Sequence, residues 1–422
     1  MSLPSTSADF GSLLDYLYNL QRLGIKVGLE HTHTLLDRCD NPQNQFKSIH
    51  IAGTNGKGST CAIVASILRE SGLNVGLYTS PHLICFNERV QVNGQPIKDK
   101  EIVSFVELYH PDIDEIESTF FETTTAMAFH HFANYNVDVA VVETGLGGRL
   151  DATNVLKPDI TVITPIALDH REILGNDILT IASEKGGILK EYTPLILGPQ
   201  ETAVRERLLQ IAGKLNVPVL NISPPNNIRL TELITEFDYK NQSYEISLLG
   251  KHQALNAAVG IETVQSFIPE LKESVIDSGL KKANWPGRLQ RMSQEYPIYY
   301  DVAHNAHGLK SILETIRNVF YQKPIGLFVM KGDKETDLVV QTLDNQFEQL
   351  ILSGSQELGL LSGADLSQQL SKYGLSNFII IDAFQEALDR IIGLTKKTGR
   401  PTLILGSHYI AKEVFNKFGF LF

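Results

Sequence analysis

The chain has 422 residues, 43% of them hydrophobic and 20% charged, which is more apolar material than one ordinary core needs and excludes wholesale disorder. A formal net charge of −11 with no compensating basic block excludes nonspecific duplex nucleic acid as a partner, so anionic ligands must be drawn by local devices: loop amides, a lysine or metal ions. Cys39, Cys61 and Cys85 form no C-x-x-C pair, residues 1–10 carry no basic start with an apolar run, and no apolar stretch reaches membrane-spanning length; the expectation is a soluble, cytoplasmic protein with no membrane partner.

Leu13, Leu14, Leu17, Leu20 and Leu23 recur at helical spacing within residues 10–36, ahead of a polar loop at 37–45. Residues 46–52 read as a strand, followed by a glycine-rich loop, a helix running to Glu70 and a second strand at 74–79, a β-loop-α-β unit. Arg89-Val90-Gln91-Val92 alternates into an Asn93-Gly94 turn, with Ile97 on the return. A helix is expected over 123–135. Nearly continuous apolar strands at 137–143 and 160–164 predict a parallel sheet covered by helices on both faces.

Strands at 195–197 and 217–220 continue the alternation with helices, 237–249 reads as an antiparallel pair around Asn241-Gln242, and 252–267 as a helix. The polar stretch 269–286 holds a short helix and two prolines, and a fresh strand series follows at 298–302, 325–329, 349–352, 378–381 and 402–405. The expected division is a first domain of residues 1–284 and a smaller second α/β domain of 285–422.

The strongest chemical signal is Ile51-Ala52-Gly53-Thr54-Asn55-Gly56-Lys57-Gly58-Ser59-Thr60. Glycines turn backbone N–H groups toward an anion, Lys57 reaches outer phosphates, and Ser59 or Thr60 opens a helix whose positive end faces the ligand. The spacing departs from G-x-x-x-x-G-K-[ST], because Ile51 stands at the first glycine position and Gly58 precedes Ser59. Glu143 ends a buried strand at the edge where ligands collect in open α/β sheets and is placed to hold Mg²⁺ against a triphosphate. His170 leaves the next strand at the same edge, a plausible ligand of a second metal ion. Lys185, by spacing alone, is a surface charge on a helix. Arg288, Asp301 and His304 flank the start of the second domain.

Taken in order, Gly53-Thr54-Asn55-Gly56-Lys57-Gly58-Ser59, Thr79-Ser80-Pro81-His82-Leu83 with Phe86-Asn87-Glu88-Arg89, Glu143 to Asn154, Leu168-Asp169-His170, Ser183-Glu184-Lys185 and Asp301-Val302-Ala303-His304-Asn305 resemble the Mur ligase superfamily, and within it the folylpolyglutamate synthase and dihydrofolate synthase branch. The resemblance implies an N-terminal P-loop ATPase domain with a parallel-rich sheet and a smaller C-terminal Rossmann-like α/β domain. It also implies a monomeric ligase that uses ATP to phosphorylate a carboxylate of dihydropteroate or a reduced folate, after which the amine of L-glutamate displaces phosphate.

By the same resemblance Gly53, Thr54, Asn55, Gly56, Lys57, Gly58 and Ser59 hold ATP together with Asn256, Arg288 and Asp301. Ser80 and Glu143 hold one Mg²⁺, His170 a second, and Lys185 is carbamylated by CO₂. Phe121, Glu122, Leu150, Asp151 and Ala152 match positions that contact dihydropteroate in bifunctional members. A monofunctional folylpolyglutamate synthase is the alternative, and a noncatalytic ATP-binding module the reading from another class.

Overall fold

The computed structural model describes residues 10–24, 28–332 and 336–420. Residues 1–9, read above for a leader, and 25–27 within the helical lead lie outside the described residues. The described chain forms two compact units: one holds the residues up to Pro224 together with Asn256–Leu280, and the other Pro225–Leu255 with the residues from Lys281 onward.

The first unit is built on an eight-stranded sheet. Its strands are β1 (Lys47–Ala52), β2 (Val75–Tyr78), β3 (Val90–Val92), β4 (Gln95–Pro96), β5 (Val139–Glu143), β6 (Ile160–Ile163), β7 (Leu195–Leu197) and β8 (Val219–Asn221). Their spatial order is β4-β3-β2-β5-β1-β6-β7-β8. All pairings are parallel except those of the β3–β4 hairpin, which attaches to β2 antiparallel. The central strands are buried end to end, as strands sandwiched between two helical layers must be.

One layer packs Leu13, Leu17, Leu35, Phe105, Phe129 and Phe132 against the sheet, and the other Ile181, Leu208 and Ala212. The helix Asp99–Ile116, with Pro111 inside it, belongs to the first layer. Helical periodicity there is diluted by charged residues, which hides the helix from the sequence pattern. That helix begins at Phe120, three residues before its expected start, because Thr119 caps it.

In the second unit, β9 (Asn226–Leu230), β10 (Thr235–Tyr239) and β11 (Gln242–Ile246) form an antiparallel sheet. Lys240 and Asn241, both at positive φ, make the tight turn. A six-stranded sheet follows, with β12 (Gln290–Arg291), β13 (Ile298–Tyr300), β14 (Ile325–Phe328), β15 (Gln349–Gly354), β16 (Ile379–Ala383) and β17 (Thr402–Leu405) in the order β12-β13-β17-β14-β15-β16. It is parallel apart from β12. Its core packs Leu309, Ile312 and Ile316 of the helix Ala306–Phe320 against Tyr299, Phe328 and Leu403. Among the described residues no helix is long and apolar enough to cross a membrane.

Candidate active site

The position of β1 in the sheet determines where the first unit can bind a ligand. From β1 the chain runs through the helix Lys57–Glu70 to β2 on one side, and from β6 it runs to β7 on the other. Such a reversal opens a crevice beyond the carboxyl ends of the strands. The glycine-rich loop leaves β1 at that edge, and the register pairs Ile51 with Glu143, so β5 ends beside it.

Two glycines have no substitute in this loop. Gly53 sits at φ +151, where a Cβ would lie 1.9 Å from Thr164 Oγ1; Gly56 sits at φ +87, where a Cβ would lie 2.4 Å from Asn256 Oδ1. The loop is anchored from behind. The Thr54 and Asn55 amides donate to the Pro165 carbonyl at 3.1 and 3.2 Å, the Thr54 hydroxyl donates to the Ala167 carbonyl at 3.0 Å, and the Ala167 amide donates back to it at 3.1 Å. Gly56 caps the helix, which begins at Lys57 and carries buried Gly58, Ser59 and Thr60 in its first turns. Free amide dipoles at a helix start favour an anion there.

Glu143 is only 4% exposed. One carboxylate oxygen lies 3.8 Å from Lys57 Nζ and the other accepts the Ser80 amide at 3.2 Å. Lys57 also reaches the Thr54 carbonyl at 3.4 Å. Phosphate loop, lysine, carboxylate and Ser80 thus share one edge of one sheet. Carboxylate and hydroxyl oxygens are the hard donors that suit Mg²⁺, and Glu143 with Ser80, whose amide it accepts, supplies both types, so the chemistry of the two residues fits the ion.

Lys185 is not a surface charge. It is 5% exposed, and its Nζ donates to the Gly53 carbonyl at 2.8 Å. Burial, and after it the charge of Lys57, lower its pKa from 10.5 to about 7, against the opposing pull of Asp169 and Asp151. Ile181 and Lys185 stand four apart on the inner face of the helix Ile178–Gly186, a spacing that was visible in the sequence. His170 lies on the loop after β6 with φ +50, its side chain 47% exposed and 4.0 Å from Asp169.

Asp151 is buried and encircled by donors. Its Oδ1 accepts the Thr153 amide at 3.1 Å and the Thr153 hydroxyl at 2.5 Å, and its Oδ2 accepts the Leu146 amide at 2.8 Å. Glu122 is buried too, and its carboxylate accepts the Thr119 amide at 2.7 Å in a capping box. Phe121 is packed so closely on Gly145 that a Cβ there would come within 2.4 Å of the ring. Leu150 is half-buried and Ala152 buried.

A neighbouring segment has more structure than its sequence announced. The Glu88 carboxylate gathers the amides of Leu83, Ile84 and Cys85 at 2.7, 2.8 and 2.7 Å. Buried Arg89 donates through Nε to His82 Nδ1 at 2.9 Å and lies over the Phe120 ring at 5.2 Å. Tyr18 stacks on the same ring, with centroids 5.7 Å apart. The result is a cationic, aromatic surround beside Ser80 that the spacing of Phe86-Asn87-Glu88-Arg89 alone did not reveal.

Arg288 and Asp301 belong to the second unit. Asp301 is buried and accepts the Leu289 amide at 2.8 Å and the Ala303 amide at 2.7 Å, and burial raises its pKa against the pull of Arg288. Leu289 adopts φ +41 there. His304 Nδ1 lies 3.0 Å from the Val302 carbonyl.

The Mur ligase middle domain matches residues 51–264 and the Mur ligase glutamate ligase domain residues 287–408. The dihydrofolate synthase/folylpolyglutamate synthase of Bacillus subtilis is 37% identical over 349 residues, covering 78% of this chain and 81% of that protein. The folylpolyglutamate synthase of Lacticaseibacillus casei is 31% identical, covering 94% and 96%. Among solved structures, the Mycobacterium tuberculosis folylpolyglutamate synthase complexed with ADP superimposes with a TM-score of 0.89 at 29% identity, over 97% of this chain and 99% of that one.

Proposed function

Because the chain belongs to the folylpolyglutamate synthase and dihydrofolate synthase family of the Mur ligases, we propose that it joins L-glutamate, at the expense of ATP, to dihydropteroate and to the γ-carboxylate of reduced folates. The observation that carries the reading is the meeting of Lys57, Glu143, Ser80 and the Lys185-anchored loop at one sheet edge.

In this reading the loop of residues 53–59 cradles the phosphates of ATP, through the amides at the helix start from Gly56 to Gly58 and the hydroxyl of Ser59, while the Thr54 and Asn55 amides anchor the loop to Pro165; Asn256 lies beside Gly56, and Arg288 and Asp301 match ATP-contacting positions of the family. The γ-phosphoryl group passes to an oxygen of the substrate carboxylate, ADP leaves, and Lys57 offsets the negative charge that builds on the transferring group. The amine of glutamate then attacks the acyl carbon, phosphate departs, and the nitrogen loses its proton. Glu143 and Ser80 would hold one Mg²⁺ and His170 a second, and the ions would supply charge neutralisation for phosphoryl transfer.

Lys185 has the chemistry for carbamylation, since a neutral amine is the form that attacks CO₂ and its pKa of about 7 leaves a large neutral fraction at physiological pH. The product, with a proton released, turns a cation into an anion. Phe121, Glu122, Leu150, Asp151 and Ala152 are the proposed pterin-contacting positions, and Glu122 and Asp151 also hold the loops around them through the amides they accept. The functional division is taken at 284/285, and the working form as a cytoplasmic monomer with small-molecule partners and no nucleic acid or membrane.

The test is ADP release with Mg²⁺, ATP and L-glutamate, comparing dihydropteroate, tetrahydrofolate and no pterin. Release with both pterins is the expected result. Release with tetrahydrofolate alone supports the monofunctional reading. Release with neither overturns the proposal.

A further inference from the structure

On β1, three residues before the first glycine of the nucleotide loop, His50 is fully buried. Its Nε2 lies 2.8 Å from Thr153 Oγ1. The threonine hydroxyl has one proton, and that proton is committed to Asp151 Oδ1 at 2.5 Å. Toward His50 the same oxygen therefore accepts, which places the imidazole proton on Nε2 and leaves Nδ1 bare; Nδ1 has no hydrogen-bond partner. The ring is also held neutral, because burial and then the charge of Lys190 lower its pKa to about 3.

Asp151, at the end of this chain of hydrogen bonds, is the residue that gathers the Leu146 amide at 2.8 Å and the Gly145 amide. Both belong to the turn that leaves Glu143 and packs on Phe121. Lys190 braces the other end of the segment, donating to Asn154 Oδ1 at 2.8 Å and to the Asn154 carbonyl at 3.0 Å.

We propose that His50 is a positioning residue for the reaction: through Thr153 it fixes the Asp151 carboxylate, and through Asp151 the turn at 144–148 that orients Glu143 and Phe121. The proposal rests on the ligase reading for its catalytic consequence only. Its structural consequence, the protection of the Gly145 and Leu146 amides, is independent of what reaction is catalysed.

Four variants separate the relay from simple packing. His50→Gln keeps an N–H donor and Thr153→Ser keeps the hydroxyl, whereas His50→Leu and Thr153→Val remove them at similar volume. The readouts are glutamate-dependent ADP release against ATP and Mg²⁺, the unfolding temperature, and hydrogen exchange of the 144–148 segment.

The conservative pair is expected within about twofold of the parent in kcat, and the disruptive pair down by about tenfold with KM for ATP within about twofold, the size of effect expected for a lost positioning hydrogen bond. Exchange of the segment speeds up only in the disruptive pair, and the double variant His50→Leu/Thr153→Val is no slower than either single one. Additive losses, equal losses in His50→Gln and His50→Leu, or unaltered exchange in Thr153→Val overturn the relay. If His50→Leu does not fold, His50→Phe, which also lacks the N–H donor, takes its place against His50→Gln. If the parent protein releases no ADP, the ligase reading fails while exchange still tests the relay.

Discussion

Lys185 Nζ donates to the Gly53 carbonyl at 2.8 Å, so a helix remote in sequence holds the first glycine of the phosphate loop through a buried ammonium. The pKa of about 7 against an ordinary 10.5 means that the unfolded chain binds the extra proton between those values. Stability therefore rises as pH climbs from 7 toward 10.5, and below pH 7 the full cost of the buried charge is present. In CO₂-free buffer, Lys185→Met should unfold at a higher temperature than the parent at pH 6, with the gap closing toward pH 10. A gap that does not vary with pH contradicts this. The same variant should lose about a hundredfold or more in kcat, in the range seen when a fixed charge-stabilising group is deleted.

Gly56→Ala places a methyl 2.4 Å from Asn256 Oδ1 on a backbone at φ +87. A left-handed conformation costs an L-residue about 1–2 kcal/mol before the clash is counted. ATP affinity should fall at least about tenfold, measured by titration calorimetry. Unaltered affinity would mean that the loop does not need the conformation it has.

Glu143 and Lys57 should show strong coupling. Lys57→Met leaves the buried Glu143 carboxylate without its cation, and Glu143→Gln leaves the part-buried Lys57 without its carboxylate, each at a cost of about 1–3 kcal/mol. Glu143→Gln and Lys57→Met should each destabilise markedly in denaturant titrations, and the double variant by clearly less than the sum. Additivity would show that the two charges are independent. All three proteins are expected to be inactive.

In the second unit Asp301 satisfies two amides and restrains Leu289 at φ +41, an unusual conformation for a branched residue. Asp301→Ala should destabilise by about 1–3 kcal/mol, the penalty for stranding buried donors. Faster hydrogen exchange over 287–303 would localise the effect there; a protected segment would refute it.

Most strands of the two large sheets were legible, because a run such as Val139-Ala140-Val141-Val142 has no polar residue to expose and must be buried on both faces. The helix Asp99–Ile116 was not, since seven of its 18 residues are charged and Pro111 reads as a break; packing of Ile102, Phe105, Val106 and Ile113 overrides both signals. Strand β9 escaped for a related reason: Asn226 and Asn227 resemble a turn, and it is pairing with β10 that extends them. At the site, the loop and Glu143 were readable from their place after apolar strands. The burial of Lys185 and the donors around Asp151 arise from residues far apart in sequence, so local pattern had no access to them.

The pairing of Ile51 with Glu143 also bears on which insertions and deletions the gene can survive. Successive side chains on a strand point to opposite faces, so a one-residue insertion within β5 would turn Glu143 away from Lys57 while leaving an apolar strand that still pairs. A two-residue insertion restores the face but carries the carboxylate some 7 Å along the strand axis. Length variation among functional descendants of this chain should therefore be confined to loops distant from that edge, and a frame of fixed length should run unbroken through β1 and β5.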